Sequence, residues 1–466
     1  MKAIRWVLVL GVAVSVARGE ATAPPLEGPV TYVAFTITDE GAFDEFDFSV
    51  SALVGGISGS TPTGATASLS YAILDSGAAT HLVSYPDSAL LGLDSSFTTD
   101  STLPVGGAGG TVDIGVSVPI GFFLHGVQDL NPSNGLQSAS IVGQGNFPCG
   151  VNTLANFNNG STIPTVIGAP LFAYYPVEIL NSQRVTFEQN GETLSTASAQ
   201  FFSGPTDPAL PTYGHKFSLE LLPAAGAPTV SFFALPDFVN GGYTFIFPAL
   251  IGGLAGSLYQ TASENLQLHQ GSNSITVKLI VDTAAQATLI SETVAFDLGV
   301  NLSNPDFEVP LQGISGTNVV PGIYLDSITL PTSRGGLTWT NVPVVVVNIQ
   351  GPDGTMVDGI FGSNLLADRD YVFNGADSFP YVEASTNRIP PDPVITEIRR
   401  NPSNDVIEVD WYTEPAAAQM QLESSTDPAG APASWTCVST GELGTIRGTL
   451  SVTGSTDQTV FRLVAP

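Results

Sequence analysis

The sequence predicts an almost entirely β protein, and three observations predict it. Turn-forming residues are abundant, with 49 glycines and 34 prolines in 466 residues, and charged residues make up only 12%. Between the turn signals lie short runs rich in Val, Ile, Thr, Phe and Tyr, at 30–37, 68–74, 342–349 and 405–412. Branched and aromatic side chains fit a pleated surface, and runs of this length bounded by Gly, Pro, Asn and Ser read as strands. Helical periodicity over a dozen residues is absent, leaving one short helical turn expected over 88–93.

The chain begins Met1-Lys2-Ala3-Ile4-Arg5, runs apolar from Trp6 to Val16, and reaches Ala17-Arg18-Gly19. A basic start, a short apolar core and small residues before a cut site describe an export leader over 1–19. That apolar run is too short for a permanent span, and no second stretch is long enough for one. The expected location is therefore secreted, periplasmic or cell-surface. Acidic residues outnumber basic ones 42 to 13, for a formal charge of −29. Such a surface repels nucleic acid and anionic membranes, which excludes a nucleic-acid binder. Cys149 and Cys437 are too few and too far apart for a disulfide scaffold. His81, His125, His215 and His269 have no metal-ligand spacing, so neither metal nor cofactor is expected.

An internal repeat organises the chain. Ala72-Ile73-Leu74-Asp75-Ser76-Gly77-Ala78-Ala79-Thr80-His81-Leu82-Val83-Ser84 recurs, with one slip, as Leu279-Ile280-Val281-Asp282-Thr283-Ala284-Ala285-Gln286-Ala287-Thr288-Leu289-Ile290-Ser291. Each copy is followed by a glycine-containing loop, at 105–110 and 311–316. Each then reaches an apolar pair ahead of glycine, Val166-Ile167-Gly168 and Ile360-Phe361-Gly362. Three landmarks repeated in one order predict two homologous lobes, 25–205 and 206–388. Ile389-Pro390-Pro391-Asp392-Pro393 reads as a linker, because consecutive prolines exclude regular structure. Residues 394–466, with strand-like runs and a buried-looking Trp435, predict a small appended β-sandwich.

The repeat also carries the chemistry. Hydrolysis by water needs one group to deprotonate the water and another to protonate the carbonyl oxygen. Two carboxyl groups sharing one proton do both, because like charges a few ångströms apart resist ionising together. Such a pair requires two segments that each present an Asp at a tight turn among small residues. Asp75-Ser76-Gly77 and Asp282-Thr283-Ala284 have that form, each after an apolar strand and each with a hydroxyl able to bond across.

On these motifs the chain resembles the aspartic peptidases of the pepsin and retroviral-protease type, over roughly residues 30–388. The resemblance implies that Asp75 and Asp282 are the catalytic carboxylates. It implies that Ser76, Gly77, Thr283 and Ala284 support the dyad, and that Ile167-Gly168 and Phe361-Gly362 pack beside it. Gly107, Gly109 and Gly110 would form a glycine-rich flap, although a plain hairpin turn explains them equally. The implied activity is endopeptidase cleavage of an extended polypeptide by a monomer. Two departures stand out: Ala284 occupies the family's glycine position, and residues 105–118 lack the flap tyrosine of pepsin. Ala284 keeps open a second reading, a protein of the same fold with a disabled dyad that holds peptide or another polymer. A structural or adhesive surface protein is the third. The tail, with Gln421-Leu422-Glu423-Ser424-Ser425 and Val460-Phe461-Arg462-Leu463, resembles fibronectin-type modules. Asp75, His81 and Ser84 lie too close together on one segment for a serine triad, and His81 is expected as a polar residue at a strand edge.

Overall fold

The computed structural model describes residues 23–38, 70–90, 93, 98–107, 110–117, 120–125, 142–147, 149–152, 165–173, 175–189, 192–202, 204–223, 233–237, 242–246, 259–263, 265–313, 316–350 and 356–389, with tail strands within 394–464. Residues 1–19, expected as an export leader, Gly109, Trp435 and the prolines from Pro390, expected as a linker, lie outside the described residues.

The first lobe contains β1 (Tyr32–Thr38), β2 (Ser70–Leu74), β3 (Leu82–Val83), α1 (Tyr85–Leu90), β4 (Thr98–Gly107), β5 (Gly110–Ser117), β6 (Ile120–His125), β7 (Val142–Phe147), β8 (Gly150–Val151), β9 (Thr165–Ile167) and α2 (Ala169–Phe172). Its nine strands form one sheet in the order β4-β5-β8-β3-β9-β2-β1-β6-β7. Burial alternates along β2, as the period of two in a strand requires. At the centre, β9 lies parallel to β2 and antiparallel to β3.

The connecting strands are β10 (Val177–Gln189), β11 (Glu192–Phe201) and β12 (Gly214–Pro223), followed by the hairpin β13 (Phe233–Asp237) and β14 (Gly242–Ile246). The second lobe holds β15 (Tyr259–Ser263), β16 (Leu266–Gln270), β17 (Asn273–Val277), β18 (Ile280–Asp282), β19 (Thr288–Ile290), α3 (Glu292–Asp297), β20 (Phe307–Gly313), β21 (Gly316–Thr332) and β22 (Gly335–Val346). Then come β23 (Ile349–Gln350), β24 (Met356–Val357), β25 (Gly359–Gly362), a 3₁₀ turn at Ser363–Leu366, β26 (Tyr371–Asn374) and β27 (Tyr381–Ser385). The first lobe's central arrangement recurs, with β25 parallel to β18 and antiparallel to β19. Ile280 and Val281 of β18 and all three residues of β19 are buried in succession, so these central strands do not show the alternation seen along β2. The two lobes thus repeat one order of elements, and the all-β, two-lobed expectation holds.

The lobes are joined by backbone pairing. β10 leaves the first lobe and pairs with β26 of the second, Val177 opposite Phe373 and Ile179 opposite Tyr371. β12 pairs with β27 through Gly214–Ser218 and with β15 through its remaining residues, so one ladder runs from the interlobe sheet into the second lobe. Phe172 and Phe373 meet edge-on at 5.0 Å across this junction. One apolar core extends through both lobes, from Phe35 and Phe122 to Trp339 and Phe361.

The chain ahead of β1 also crosses over. Gly28 N–H donates to Gln286 O (2.7 Å), Asn364 Nδ2 donates to Pro25 O (3.1 Å), and Leu26 packs on the cluster around Leu289 and Val345.

Two expectations shift in position. The short helix spans 85–90 rather than 88–93, because Ser84 Oγ accepts from Asp87 N–H (3.3 Å) and Pro86 suits a first turn. The run 342–349 is not one strand: β22 ends at Val346, and Asn348 turns to accept Glu292 N–H (3.1 Å). Beyond the linker, β28 (Val394–Asn401), β29 (Val406–Tyr412), β30 (Gln421–Ser425), β31 (Thr436–Thr440), β32 (Arg447–Thr453) and β33 (Val460–Val464) form two three-stranded sheets, β28-β29-β32 and β31-β30-β33.

Candidate active site

Asp75 follows β2 and Asp282 ends β18, so each leaves a central strand at the start of a tight turn. Each carboxylate is held by two backbone N–H groups of its own loop. Gly77 and Ala78 donate to Asp75 Oδ1 at 2.8 and 2.9 Å. Ala284 and Ala285 donate to Asp282 Oδ1, both at 2.9 Å. The two carboxyl groups are hydrogen-bonded to one another.

The hydroxyls after the aspartates tie the loops together. Ser76 Oγ donates to Val281 O and Thr283 Oγ1 donates to Leu74 O, each at 2.7 Å. In return Ser76 N–H donates to Thr283 Oγ1 (3.1 Å), and Thr283 N–H to Ser76 Oγ (3.2 Å). Four buried bonds therefore fix one loop against the other. Buried hydroxyls are costly unless satisfied, so this grip is specific to Ser and Thr at these places.

Small residues make the approach possible. A Cβ on Gly77 would lie 2.5 Å from Asp282 Cγ and 2.6 Å from Oδ2. Ala284 carries a methyl at the mirror position, yet its N–H binds Asp282 as Gly77 N–H binds Asp75. Among the described non-glycine residues, positive φ occurs at Asn265 and Asn341, so Ala284 carries none of that strain.

Gly168 and Gly362 seat the strands behind the loops. A methyl on Gly168 would overlap Thr80 O and Ala78 O, and one on Gly362 would overlap Ala287 O. Asp75 N–H donates to Ile167 O (2.9 Å), and Ser363 N–H to Ala285 O (2.8 Å). Phe361 is buried against Phe217 and Trp339. Gly107 and Gly110 close the β4–β5 hairpin opposite one another.

Burial and the neighbouring charge of Asp282 push the Asp75 carboxyl well above the usual carboxylate range, and their mutual hydrogen bond adds to this. Burial raises Asp282 too, while the bond from Asp75 opposes the rise. Both carboxyls are thus raised, and the pair holds one proton between them. This pair can take a proton from water on one side and give one to a carbonyl oxygen on the other.

Residues 270–365 match the aspartyl protease family. That segment begins at the end of β16 and includes the Asp282 loop, β25 and Asn364, the half of the site with the alanine departure. No curated protein matches the chain. Similar solved structures include basic 7S globulin from soybean, at 8% identity and TM-score 0.33, covering 78% of this chain and 96% of that one. The aspartic proteinase from Irpex lacteus is 11% identical, with TM-score 0.35 and coverage of 77% and 97%. A third, edgp, is 9% identical, with TM-score 0.31 and coverage of 78% and 96%.

The aspartyl-protease-like site contains residues that the sequence did not single out. Thr288 Oγ1 accepts from Gly362 N–H (3.3 Å) and donates to Asn364 Oδ1 (2.8 Å). Tyr371 is buried, and its phenol is pushed up by burial and then by the charge of Asp282. His81 stands at a strand edge as expected, directly before β3, but inside the core. It is fully buried, with Nδ1 accepting Gly168 N–H (2.9 Å). Ser84 Oγ donates to Asp87 Oδ2 (2.7 Å), the partner a helix cap requires. Among the described residues no His, Cys, Asp and Glu side chains group as metal ligands.

Proposed function

We propose that this chain is an exported aspartic endopeptidase that binds an extended polypeptide between its two lobes. One observation carries the reading: Asp75 and Asp282 face each other in a shared hydrogen bond, each carboxylate oriented by two N–H groups of its own loop. A water between them is deprotonated by the ionised Asp282 as it attacks the scissile carbonyl. Asp75 donates its proton to the carbonyl oxygen, and no acyl-enzyme forms. The β4–β5 hairpin with Gly107 and Gly110 serves as the lid.

The test is cleavage of a denatured mixed-protein substrate between pH 3 and pH 8, comparing the mature protein with Asp75→Asn and Asp282→Asn. Cleavage that disappears in both variants supports the reading. A folded wild type that cuts nothing across this range overturns it and leaves a polymer-binding protein of the same fold, the reading that Ala284 favours.

A further inference from the structure

The two aspartate loops differ in the group that receives the N–H of the glycine seated behind them. In the second lobe, the N–H of the seated glycine, Gly362, is received by the hydroxyl of Thr288. In the first lobe the matching N–H, of Gly168, is received by Nδ1 of His81 (2.9 Å). The register fixes this correspondence, since Leu82 pairs with Val166 as Leu289 pairs with Ile360. A ring nitrogen that accepts an N–H must present a lone pair, so the ring is neutral with its proton on Nε2. A threonine oxygen remains an acceptor at every pH. An imidazole does not.

We infer that His81 is a positioning residue that holds the Asp75 loop in its working geometry only while its ring is neutral, and so sets an acid limit on the protein. The inference rests on the peptidase reading for its effect on activity, but not for its effect on stability. Protonation would place an N–H on Nδ1 against the Gly168 N–H, two donors facing each other in a dry site beside an added charge. Gly168 sits in a tight seat, since a Cβ built on it would lie 2.3 Å from Thr80 O and 2.6 Å from Ala78 O. Ala169 N–H is bonded to Ala78 O (2.8 Å), and Ala78 N–H holds Asp75 Oδ1 (2.9 Å). A shift at Gly168 is therefore two bonds away from the carboxylate.

The elements packed near the ring carry the following titratable groups. β6 presents Phe122, whose ring centroid is 4.8 Å from that of His81. The β9–α2 stretch from Thr165 to Phe172 has no ionisable side chain. β8 follows Cys149, whose thiol is pushed up to about 12 by burial. β2 carries Tyr71, raised by burial, and leads to Asp75, whose Oδ1 is taken by Gly77 and Ala78. On α1, the Asp87 carboxylate is taken by the hydroxyls of Ser70, Ser84 and Thr165.

The test compares wild type with His81→Thr, which copies the second lobe, and His81→Asn, which keeps an acceptor near Nδ1 that cannot be protonated. Activity and the thermal midpoint are followed for each from pH 3.5 to pH 7.5. Near pH 7 the three should agree within about threefold. Each pH unit below the titration of the ring lowers its neutral fraction about tenfold. Wild type should then lose midpoint and kcat together on the acid side, while both variants hold theirs to about one pH unit lower. Parallel acid loss in all three proteins overturns the role of His81. If nothing is cut at any pH, the peptidase reading falls, and the midpoints alone decide whether His81 sets the acid limit.

Discussion

Gly77→Ala tests how closely the two aspartate loops must approach. The added methyl would lie 2.5 Å from Asp282 Cγ, 2.6 Å from Oδ2 and 2.8 Å from Cβ. Carbon atoms in ordinary contact sit about 3.5–4.0 Å apart, so one loop must retreat by roughly 1 Å. The four bonds that the Ser76 and Thr283 hydroxyls make between the loops oppose that retreat, because they have optimal lengths only at the present separation. Overpacking of this kind costs about 1–3 kcal/mol of stability. A misplacement of roughly 1 Å at reacting groups costs about a hundredfold in rate. The assay is kcat/KM on a peptide cut by the wild type, with urea unfolding of each variant and Ala284→Gly as the reciprocal control. Gly77→Ala should lose about a hundredfold, and Ala284→Gly should stay within about threefold of wild type, since Ala284 already makes its bond to Asp282. A Gly77→Ala protein with wild-type rate and stability would refute the claim that the loop approach is sterically limiting.

Three further outcomes are expected. Asp75→Asn should be more stable than wild type at neutral pH. The native Asp75 keeps its proton above the usual carboxylate range, so its contribution is complete below an unfolded value near 3.9 and is lost as pH rises through the raised one. Thermal midpoints should therefore separate at pH 7 and converge below about pH 4. Ser76→Ala and Thr283→Ala should each cost about 1–3 kcal/mol by leaving buried partners unsatisfied, and a double-mutant cycle in urea should give a coupling of about 0.5–3 kcal/mol. Equal and additive losses would mean the two hydroxyls act independently. Gly168→Ala and Gly362→Ala should both yield little folded protein, measured as soluble yield and midpoint, because backbone oxygens rather than flexible side chains occupy the space.

The chemistry-bearing part of the fold was legible because it is local. Each Asp stands at the end of an apolar strand, followed by a hydroxyl residue and small neighbours, and each lobe repeats that pattern with its later apolar pair and glycine. The requirement for glycine at 168 and 362 is also written in the chain, since close backbone packing admits no side chain. What escaped was set by contacts between distant segments. His81 looks like any polar residue near a strand end until Gly168 arrives 87 positions later to give it an N–H. Thr288 and Asn364 show no pairing in sequence. The pairing of β10 with β26 depends on both lobes being present, and no local pattern announces it. The helix at 85–90 could have been placed from Ser84 and Pro86, a capping signal overshadowed by the leucines that follow.

The crossing of residues ahead of β1 has a consequence for how the chain reaches its final state. In the folded protein Gly28 docks on Gln286, and Pro25 on Asn364. During synthesis those partners emerge more than 250 and more than 300 residues after the segment that needs them. The earliest described residues are thus among the last to settle, and closing so long a loop is a slow step. Until the second lobe is made, Leu26 stays exposed as an apolar end open to chaperones and proteases. Docking of this segment is then a late checkpoint that reports completion of both halves of the molecule.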